Sequence, residues 1–448
     1  MSLTAWIFLT VYVTGLVLTL RYPFMGVATY IFEWHNHPPY MWWGTSLPEL
    51  RWSLIVGAVT IVGLVLNYKK LPQLKNSNYK LILWLLGLTV WSFVVSEFWS
   101  IDRAKSFEIS EFFLKITVET FLMMYLIRSL WQYKVIIWVF ILNVVNFGKI
   151  AFERGSNRYL GVLAPTAGEE NAVAIHVTSM VPFLGLYFLT GNKWEKIVTF
   201  LGLPLLINLI VLANSRASFF ALIVVGILTF LWAKGRLRWR VSFALIAAFI
   251  LVSVLANQTF WERQKSVLNY KKEASAASRW YLWDGAWRMA KDYPMGVGGE
   301  GFEALAVEYV PELAESMQDG KAKTVHNTFL LALVEWGVVG LLLFVGFLSH
   351  AFVILYRIQR DSKRTPNFRY YVESLCIQFA LIAILTAGLF HNRLICETVY
   401  WFVAFGVALR NMQVHEMATA EEEVEVKDSV AVYEAGKVAT IGAACRSW

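Results

Sequence analysis

The sequence predicts an all-α, polytopic transmembrane helix bundle of about twelve spans. Of its 448 residues, 57% are hydrophobic and only 16% are charged, and the mean hydropathy is +0.52. A soluble chain of this composition would have to bury more apolar surface than one core can hold. Repeated apolar runs of roughly 20 residues instead have the length that crosses a hydrocarbon core about 30 Å thick.

The apolar runs define the expected spans, and the segments between them define the domains. We place the spans near residues 3–20, 51–68, 80–99, 112–130, 134–151, 171–190, 194–213, 217–233, 241–257, 326–348, 370–390 and 394–410. The first run lacks a basic start and a small-residue cleavage site, so we expect it to be retained as a span. The predicted domains are nine spans in 1–257, a loop domain in 258–325, three spans in 326–410 and a disordered cytoplasmic tail in 411–448.

Basic residues are concentrated in alternate loops, and this bias predicts the orientation. An excess of Lys and Arg marks the cytoplasmic side of a membrane protein, so we expect both termini inside and the long loop outside. The net charge of +8 then follows from topology and does not indicate a nucleic-acid partner. The residues that carry the bias are Lys69, Lys70, Lys75, Lys80, Arg128, Lys134, Lys193, Lys196, Lys234, Arg236, Arg238, Arg240, Arg357, Arg360, Lys363, Arg364 and Arg369.

Three outer segments differ from simple connections, and one of them, 152–170, carries Arg154, Arg158, Glu169 and Glu170. Residues 22–50 are rich in Trp and Tyr and contain Pro38 and Pro39, which indicates an interfacial or re-entrant piece in which His35 and His37 are interfacial. Residues 258–325 form the long loop, with 9 basic and 10 acidic side chains. Within it we expect a helix over 278–291 and a second helical piece over 303–317.

His326 is the strongest candidate for a reacting residue. With Asn327, it lies where the long loop ends and an apolar helix begins. A single histidine in a helix is usually a satisfied core or surface residue, but a neutral imidazole at this outer position can accept a proton near physiological pH. Further along the same helix, Gly337 and Gly340 are one turn apart, and we expect them to allow another helix to pack closely.

Arginines at the outer side are candidates for binding an anion. Arg216, in the segment ANSRAS at 213–218, lies between two apolar runs. Either it marks the end of a span, with its charge reaching the interface, or it has a function that repays its proximity to hydrocarbon. A guanidinium suits a bidentate grip on phosphate oxygens. Arg279 begins the loop helix and either points over the bundle or lies on a solvated surface.

Three more arginines are weaker candidates. For Arg288, on the loop helix, the surface interpretation is favoured. Arg393 follows His391 and Asn392 in the connection between the last two spans, where it is a candidate for lining a cavity. Arg158 lies in the outer segment 152–170.

No metal or organic cofactor is expected from the sequence. The three cysteines are too few and too scattered for a disulfide framework or a metal site. GVGGEG, at 296–301, matches G-x-G-x-x-G, but it follows a helix and a proline rather than a strand. We therefore predict a tight turn between two loop helices and no dinucleotide site.

The motifs resemble a known family. The pattern H-N-x9-G-x-x-G, formed by His326, Asn327, Gly337 and Gly340, resembles the signature of bacterial O-antigen ligases. SRWYLWDGAWRMAKDYPMGVGGEGF followed by HN is similar to the wider family of O-antigen ligases, O-antigen polymerases and O-linked oligosaccharyltransferases, and ANSRAS matches its outer-side arginine motif. The N-terminal Trp- and Pro-rich segment is similar to the exosortase-associated O-glycosylation ligases.

This resemblance implies a metal-independent glycosyltransferase of the GT-C type in the bacterial inner membrane. Such an enzyme takes a glycan from undecaprenyl pyrophosphate and passes it to a lipid, glycan or protein hydroxyl at the periplasmic side, among membrane lipids. By resemblance, His326 would activate the acceptor, and Arg216 and Arg279 would hold the pyrophosphate. Further substrate contacts are expected from Asn327, Arg288, Arg393 and Arg158.

Ligase, polymerase and oligosaccharyltransferase remain open, since all three use the same donor chemistry. A transporter or flippase for lipid-linked glycans is an alternative of another class. Transporters often show paired half-repeats and broken helices at the midplane of the membrane, and the sequence contains no such pairing.

Overall fold

The fold is built from α-helices connected by turns. A computed structural model describes residues 1–155, 169–233, 235–256, 258–265, 274–313, 324–362 and 367–444. Within these ranges no strand occurs, and the all-α prediction is confirmed. The helices in chain order are α1 (Leu3–Arg21), α2 (Phe24–His35), α3 (Trp52–Asn67), α4 (Ile82–Phe98), α5 (Arg103–Leu126), α6 (Leu130–Arg154), α7 (Glu170–Thr190), α8 (Lys193–Leu212), α9 (Arg216–Trp232), α10 (Arg236–Leu255), α11 (Gln258–Lys265), α12 (Ala274–Asp292), α13 (Gly301–Tyr309), α14 (Thr328–Asp361), α15 (Arg369–Gly388) and α16 (Glu397–Ala444).

Eight helices in the described part of the chain are long and apolar enough to cross a membrane: α1, α3, α6, α7, α8, α10, α14 and α15. Two shorter apolar helices, α4 and α9, accompany them. Each of the twelve predicted spans coincides with a helix, the other two being α5 and α16. The polytopic architecture predicted from hydropathy is therefore confirmed.

The last helix extends past residue 410, where a tail was predicted to begin. Its side chains remain bound to neighbouring segments: Asn411 accepts a hydrogen bond from the backbone N–H of Asn78, at 2.8 Å, and Gln413 donates to the backbone oxygen of Ile358, at 3.0 Å. These partners lie far away in sequence, so composition gave no sign of them. Helix α16 continues to Ala444.

The Trp- and Pro-rich segment at 22–50 forms a short helix, α2, followed by two single turns of 3-10 helix. Twelve residues of α-helix are about 18 Å long, which is too short to cross the hydrocarbon core. Most of α2 is nevertheless buried among α1, α3 and α6. His35 has no exposed surface, so the expectation that it is interfacial is wrong.

Helices at the centre of the bundle are buried on all sides. In α16, residues 399–405 are almost completely inaccessible, including Tyr400, Trp401 and Phe402, and most of α7 and α15 is buried as well. In contrast, α10 is mostly exposed. A helix that is apolar all round requires neighbours on every face, and here α5, α6, α14 and α15 surround α16. The candidate site lies at one end of these central helices.

Helix α14 is interrupted at Gly337, where φ is 67° and ψ is −173°. An interrupted helix leaves backbone groups without intrahelical partners, which is costly in a membrane. The connection between α12 and α13 supplies them. The backbone N–H groups of Val297 and Gly298 donate to the oxygens of Val334 and Glu335, at 3.0 and 2.9 Å, and Val338 N–H donates to Pro294, at 3.0 Å.

The predicted role of the two glycines in α14 needs correction. Gly337 is not a helical packing position, because its backbone is that of a glycine-only break. A Cβ at Gly337 would lie 2.4 Å from the backbone carbon of Met295. Gly340 does pack closely, but against Trp336 of its own helix and Trp91 of α4. The two glycines of the motif therefore lie in a helix that is broken at the first of them.

The segment GVGGEG does form a turn between two loop helices, as predicted, and it also fills the break in α14. Gly296 and Gly298 have φ values of 97° and 81°. A Cβ on Gly296 would lie 2.5 Å from the backbone oxygen of Glu335. On the other side, Gly299 N–H donates to the hydroxyl of Ser106 in α5, at 2.9 Å. The glycines thus allow one strip of backbone to enter between α5 and α14.

Gly337→Ala should destabilise the protein by at least about 2 kcal/mol, because alanine is strained at this φ and ψ and its Cβ overlaps the inserted backbone. The matched control is Gly57→Ala in α3, where a Cβ meets nothing within 4 Å and a gain of roughly 0.5 kcal/mol is expected. Thermal midpoints of both variants in detergent measure the difference. Equal midpoints for the two variants would contradict a tightly filled break.

Candidate active site

His326 lies immediately before α14 and is positioned from both sides. The side-chain oxygen of Asn327 caps α14 by accepting hydrogen bonds from two backbone N–H groups of its first turn, at 3.0 and 3.1 Å. On the other side, the indole of Trp283 in α12 donates to the backbone oxygen of Val325, at 3.1 Å. His326 itself has a left-handed backbone, with φ of 52°. Such strained conformations cluster at functional sites.

Thr328, the fully buried first residue of α14, joins this helix to the connection between α15 and α16. We call that connection, residues 389–396, the α15–α16 loop. The Thr328 hydroxyl donates to the backbone oxygen of His391 and accepts from the backbone N–H of Arg393, both at 2.9 Å. The ring centroids of His326 and His391 are 6.0 Å apart. Two imidazoles therefore lie side by side at this end of the bundle.

Glu169, His391 and Arg393 form a polar cluster whose hydrogen positions follow from its geometry. Arg393 Nη2 lies 3.0 Å from His391 Nδ1. The same Nδ1 lies 3.2 Å from the backbone oxygen of Asn392, so the other ring nitrogen decides the tautomer. Nε2 contacts a carboxylate, which only accepts, so in a neutral ring the proton is on Nε2 and Nδ1 accepts from Arg393. That proton is donated to the carboxylate of Glu169, which immediately precedes α7. Both ring nitrogens of His391 are thus occupied.

The electrostatics of this cluster agree with its geometry. Burial, and then the charge of Arg393, lower the pKa of His391, which favours the neutral ring at physiological pH. The hydrogen bond from His391 is the main cause that lowers the pKa of Glu169 to about 2. At neutral pH the cluster therefore contains one carboxylate, one neutral imidazole and one guanidinium.

Phe390 connects this cluster to the two helices that carry the arginines predicted to bind pyrophosphate. Its ring is 6.0 Å from that of Phe220 in α9 and 6.2 Å from that of Trp283 in α12. Phe220 lies one helical turn after Arg216, and Trp283 lies one turn after Arg279. Both arginines are partly buried. Helix ends that carry Arg216, Arg279 and His326 therefore converge on the α15–α16 loop.

Residues 201–345 match the family model described as O-antigen ligase. These residues are an O-antigen ligase domain. The match agrees with the family that the motifs indicated, and over these residues it supports a membrane glycosyltransferase of O-antigen ligase or polymerase type. The match extends from the middle of α8 to the middle of α14. No curated protein sequence matches the chain significantly.

The O-antigen ligase domain supplies only part of the site. Arg216, Arg279 and His326 lie within the matched residues. The cluster formed by Glu169, His391 and Arg393 lies outside them, on α7 and on the α15–α16 loop. Segments on both sides of the domain therefore complete the arrangement around His326.

The other predicted contact residues have different surroundings. Asn327 has its side-chain oxygen committed to the cap of α14. Arg288 is about half exposed, pairs with Asp284 at 3.0 Å and donates to the backbone oxygen of Tyr309 at 2.7 Å, so it ties α12 to α13. Arg158 lies outside the described residues.

A second pair of histidines lies deeper in the bundle. His35 Nδ1 is 2.6 Å from the backbone oxygen of Ile31, and its Nε2 is 2.9 Å from Nε2 of His176. Because the carbonyl oxygen can only accept, His35 carries its proton on Nδ1 and accepts from His176 through Nε2. His176 Nδ1 then accepts from the hydroxyl of Thr398, at 2.9 Å. Every ring nitrogen in this series of hydrogen bonds has a partner. The series therefore fixes α2, α7 and α16 relative to one another.

Sequence reasoning noted Glu169 but assigned it no role, and it treated the His391 segment as a secondary candidate. The contact between these residues spans 222 positions, so no local pattern reveals it. One signal was available: an acid directly before an apolar span on the same predicted side as two histidines. Such an acid is a natural hydrogen-bond acceptor for an imidazole.

Thr328→Val should lower the free energy of unfolding by about 2 kcal/mol, because two buried backbone groups of the α15–α16 loop lose their partner. Thr60→Val is the matched control. Thr60 is also buried, but its hydroxyl bonds only within its own helix, to Val56 at 2.7 Å, and that loss is nearly neutral. Thermal unfolding in detergent compares the two. Equal stability of Thr328→Val and the control would show that the hydrogen bonds between Thr328 and the α15–α16 loop contribute little to the free energy of unfolding.

Proposed function

We propose that the protein transfers a glycan from undecaprenyl pyrophosphate to an acceptor hydroxyl at the periplasmic side of the inner membrane. The observation that carries the proposal is the convergence of three helix ends, bearing His326, Arg216 and Arg279, on the α15–α16 loop. The O-antigen ligase domain contains all three residues. The orientation rests on the Lys and Arg bias of the loops at the opposite end.

In the proposed reaction, the acceptor oxygen forms a bond to the anomeric carbon of the donor glycan, and the bond from that carbon to the pyrophosphate oxygen breaks. The acceptor proton passes to His326, and undecaprenyl pyrophosphate leaves with its electron pair. Arg216 and Arg279 stabilise the negative charge that develops on the leaving group. This electrostatic stabilisation is the role that a divalent metal ion has in other glycosyl transfers, so we expect transfer to persist in a metal chelator.

We assign the base to His326 rather than to its neighbour His391. His391 has both nitrogens engaged, with Nδ1 accepting from Arg393 and Nε2 donating to Glu169. Accepting another proton would require it to break the bond from Arg393. A general base must be able to take a proton from the nucleophile in the substrate complex. His326 is the second imidazole at this end of the bundle, and its place in the ligase motif agrees with that role.

The same chemistry serves a ligase, a polymerase and an oligosaccharyltransferase, which differ in the acceptor. Ligation is the proposal, because the motif of His326, Asn327, Gly337 and Gly340 resembles that of ligases. A flippase would move the donor without making a glycosidic bond, and its binding groups are expected near midplane. His326, Arg216 and Arg279 lie instead at or near the ends of their helices.

His326→Ala should reduce glycan transfer by at least about 100-fold, the usual contribution of general base catalysis. The assay supplies purified protein with undecaprenyl-pyrophosphate-linked glycan and lipid, glycan or peptide acceptors, and detects the product by mass. Arg103→Ala is the control, since Arg103 begins α5 and is exposed. Undiminished transfer by His326→Ala would remove His326 as the base, and translocation without a glycosidic product would favour a flippase.

Arg216→Ala and Arg279→Ala should each lose transfer while retaining wild-type thermal stability, because the charge that stabilises the leaving group is removed. Lysine at either position should recover little activity, since an ammonium cannot reproduce the bidentate geometry of a guanidinium. Initial rates at saturating donor give the comparison. Near-normal turnover by both lysine variants at normal expression would argue against bidentate phosphate binding.

Single cysteines test the orientation. Cys376 and Cys396 are buried, so Cys445→Ser gives a background of low reactivity. In that background, Glu312→Cys, in the connection between α13 and α14, should react with a membrane-impermeant maleimide in spheroplasts. Ser77→Cys, between α3 and α4, should react only after lysis. The opposite pattern would place the candidate site in the cytoplasm.

A further inference from the structure

Glu169 and His391 are not required by the transfer chemistry proposed above, yet they lie beside its base. Glu169 is about two-fifths exposed, and the side chain of His391 is only 10% exposed. The carboxylate thus reaches open space at the end of the bundle, while its hydrogen-bond donor is fixed in the interior. The buried imidazole of His391 therefore fixes the orientation of the more exposed carboxylate of Glu169.

His391 is itself oriented by its neighbours. Its Nδ1 accepts from Arg393, and its backbone oxygen accepts from Thr328 at the start of α14. With Nδ1 occupied, the Nε2 proton can point in one direction, toward Glu169. The imidazole therefore acts as a rigid neutral donor that holds one carboxylate oxygen.

Glu169 is the N-cap residue of α7, where the helix dipole favours a negative charge. Together with the hydrogen bond from His391, this position keeps the carboxylate ionised, in agreement with its pKa of about 2. The same carboxylate interacts electrostatically with His326 and with Arg393. The ring of His391, which holds this carboxylate, is 6.0 Å from the ring of His326. An anion of fixed position therefore lies in the neighbourhood of the residue that is proposed to gain a proton.

We propose that Glu169, oriented by His391, is a positioning residue that stabilises the protonated form of His326 during acceptor deprotonation. The inference rests on the proposed function, because it assigns a role to Glu169 only if His326 is the base. Proton transfer converts His326 from neutral to cationic, and a nearby fixed anion lowers the energy of that cation. Glu169 neither accepts the proton nor contacts the glycan in this scheme.

The balance of charges around His326 determines the expected direction. Glu169 on α7 is the anion, and Arg393 on the α15–α16 loop is a cation that acts on the same carboxylate. Arg216 on α9 and Arg279 on α12 are further cations on helices that converge here, while His391 is neutral. Glu303, whose carboxyl is bonded to Thr324, and Glu170 in the first turn of α7 remain in the Glu169 variant. Removal of Glu169 takes away one anion beside these cations, so the pKa of His326 should fall and it should become a weaker base.

The first test is the pH dependence of transfer by Glu169→Gln, which preserves size and removes charge. We expect turnover at the plateau to fall by at least about 10-fold, and the acidic limb of the profile to shift by roughly 1 pH unit toward lower pH. Glu97→Gln is the matched control, since Glu97 lies near the end of α4 and pairs with the exposed Arg103. The control should retain the wild-type profile.

The second test separates the orientation of Glu169 from its charge. The side-chain amide of His391→Gln can donate from a position close to that of imidazole Nε2, whereas His391→Ala cannot donate at all. His391→Gln should therefore be several-fold more active than His391→Ala, which should show the shifted profile of Glu169→Gln. Equal activities and profiles for the two His391 variants would overturn the orienting role.

The outcomes distinguish this inference from the proposed function. If His326→Ala is inactive and Glu169→Gln keeps the wild-type pH profile, with only a lower thermal midpoint, Glu169 is a structural link and the inference fails alone. If His326→Ala remains fully active, the assignment of His326 as the base fails, whatever Glu169 does, and if no glycosidic product forms in the wild type, the proposed function fails. Should Glu169→Gln not fold, the comparison of the two His391 variants decides the inference by itself.

Discussion

Within the membrane, every backbone N–H and C=O group needs a hydrogen-bond partner. The candidate site depends on this constraint. Helix α14 is broken at Gly337, and the connection between α12 and α13 supplies hydrogen bonds to the backbone groups that the break leaves without intrahelical partners. The backbone oxygen of Trp336, also at the break, accepts from the indole of Trp91 in α4, at 2.7 Å. The broken helix is thereby joined to the long loop and to a neighbouring span.

This junction also determines how the loop helix lies relative to His326. Helix α12 ends two residues before Pro294, where the inserted backbone begins, and its Trp283 donates to Val325 beside His326. Two separate attachments to α14 hold α12, one at the break and one at the start. Arg279 lies one turn before Trp283 on the same helix, so the two attachments of α12 also determine its position. A break deep in one helix thus helps to position an arginine at the surface.

Hydropathy and loop charge predicted the spans, because burial in hydrocarbon demands long apolar runs. The same patterns do not record backbone conformation. The one-turn spacing of Gly337 and Gly340 is compatible with a packing face, and only φ and ψ reveal a break at Gly337. His35 was similar: a Trp-rich segment suggests the interface, but the partner that buries it, His176, is 141 positions away. Long-range partners decided each case in which prediction and structure differ.

Some residues of the candidate site can be recognised from the sequence, and others cannot. His326, Arg216 and Arg279 lie in motifs because each stands at a helix start or within a patterned segment. Glu169 and His391 are visible only once α7 and the α15–α16 loop meet. Their geometry nevertheless bears on the proposed base: His391, with both nitrogens engaged, cannot easily accept a proton, and the carboxylate that it holds interacts electrostatically with His326. The pair therefore explains why two neighbouring imidazoles would have different roles.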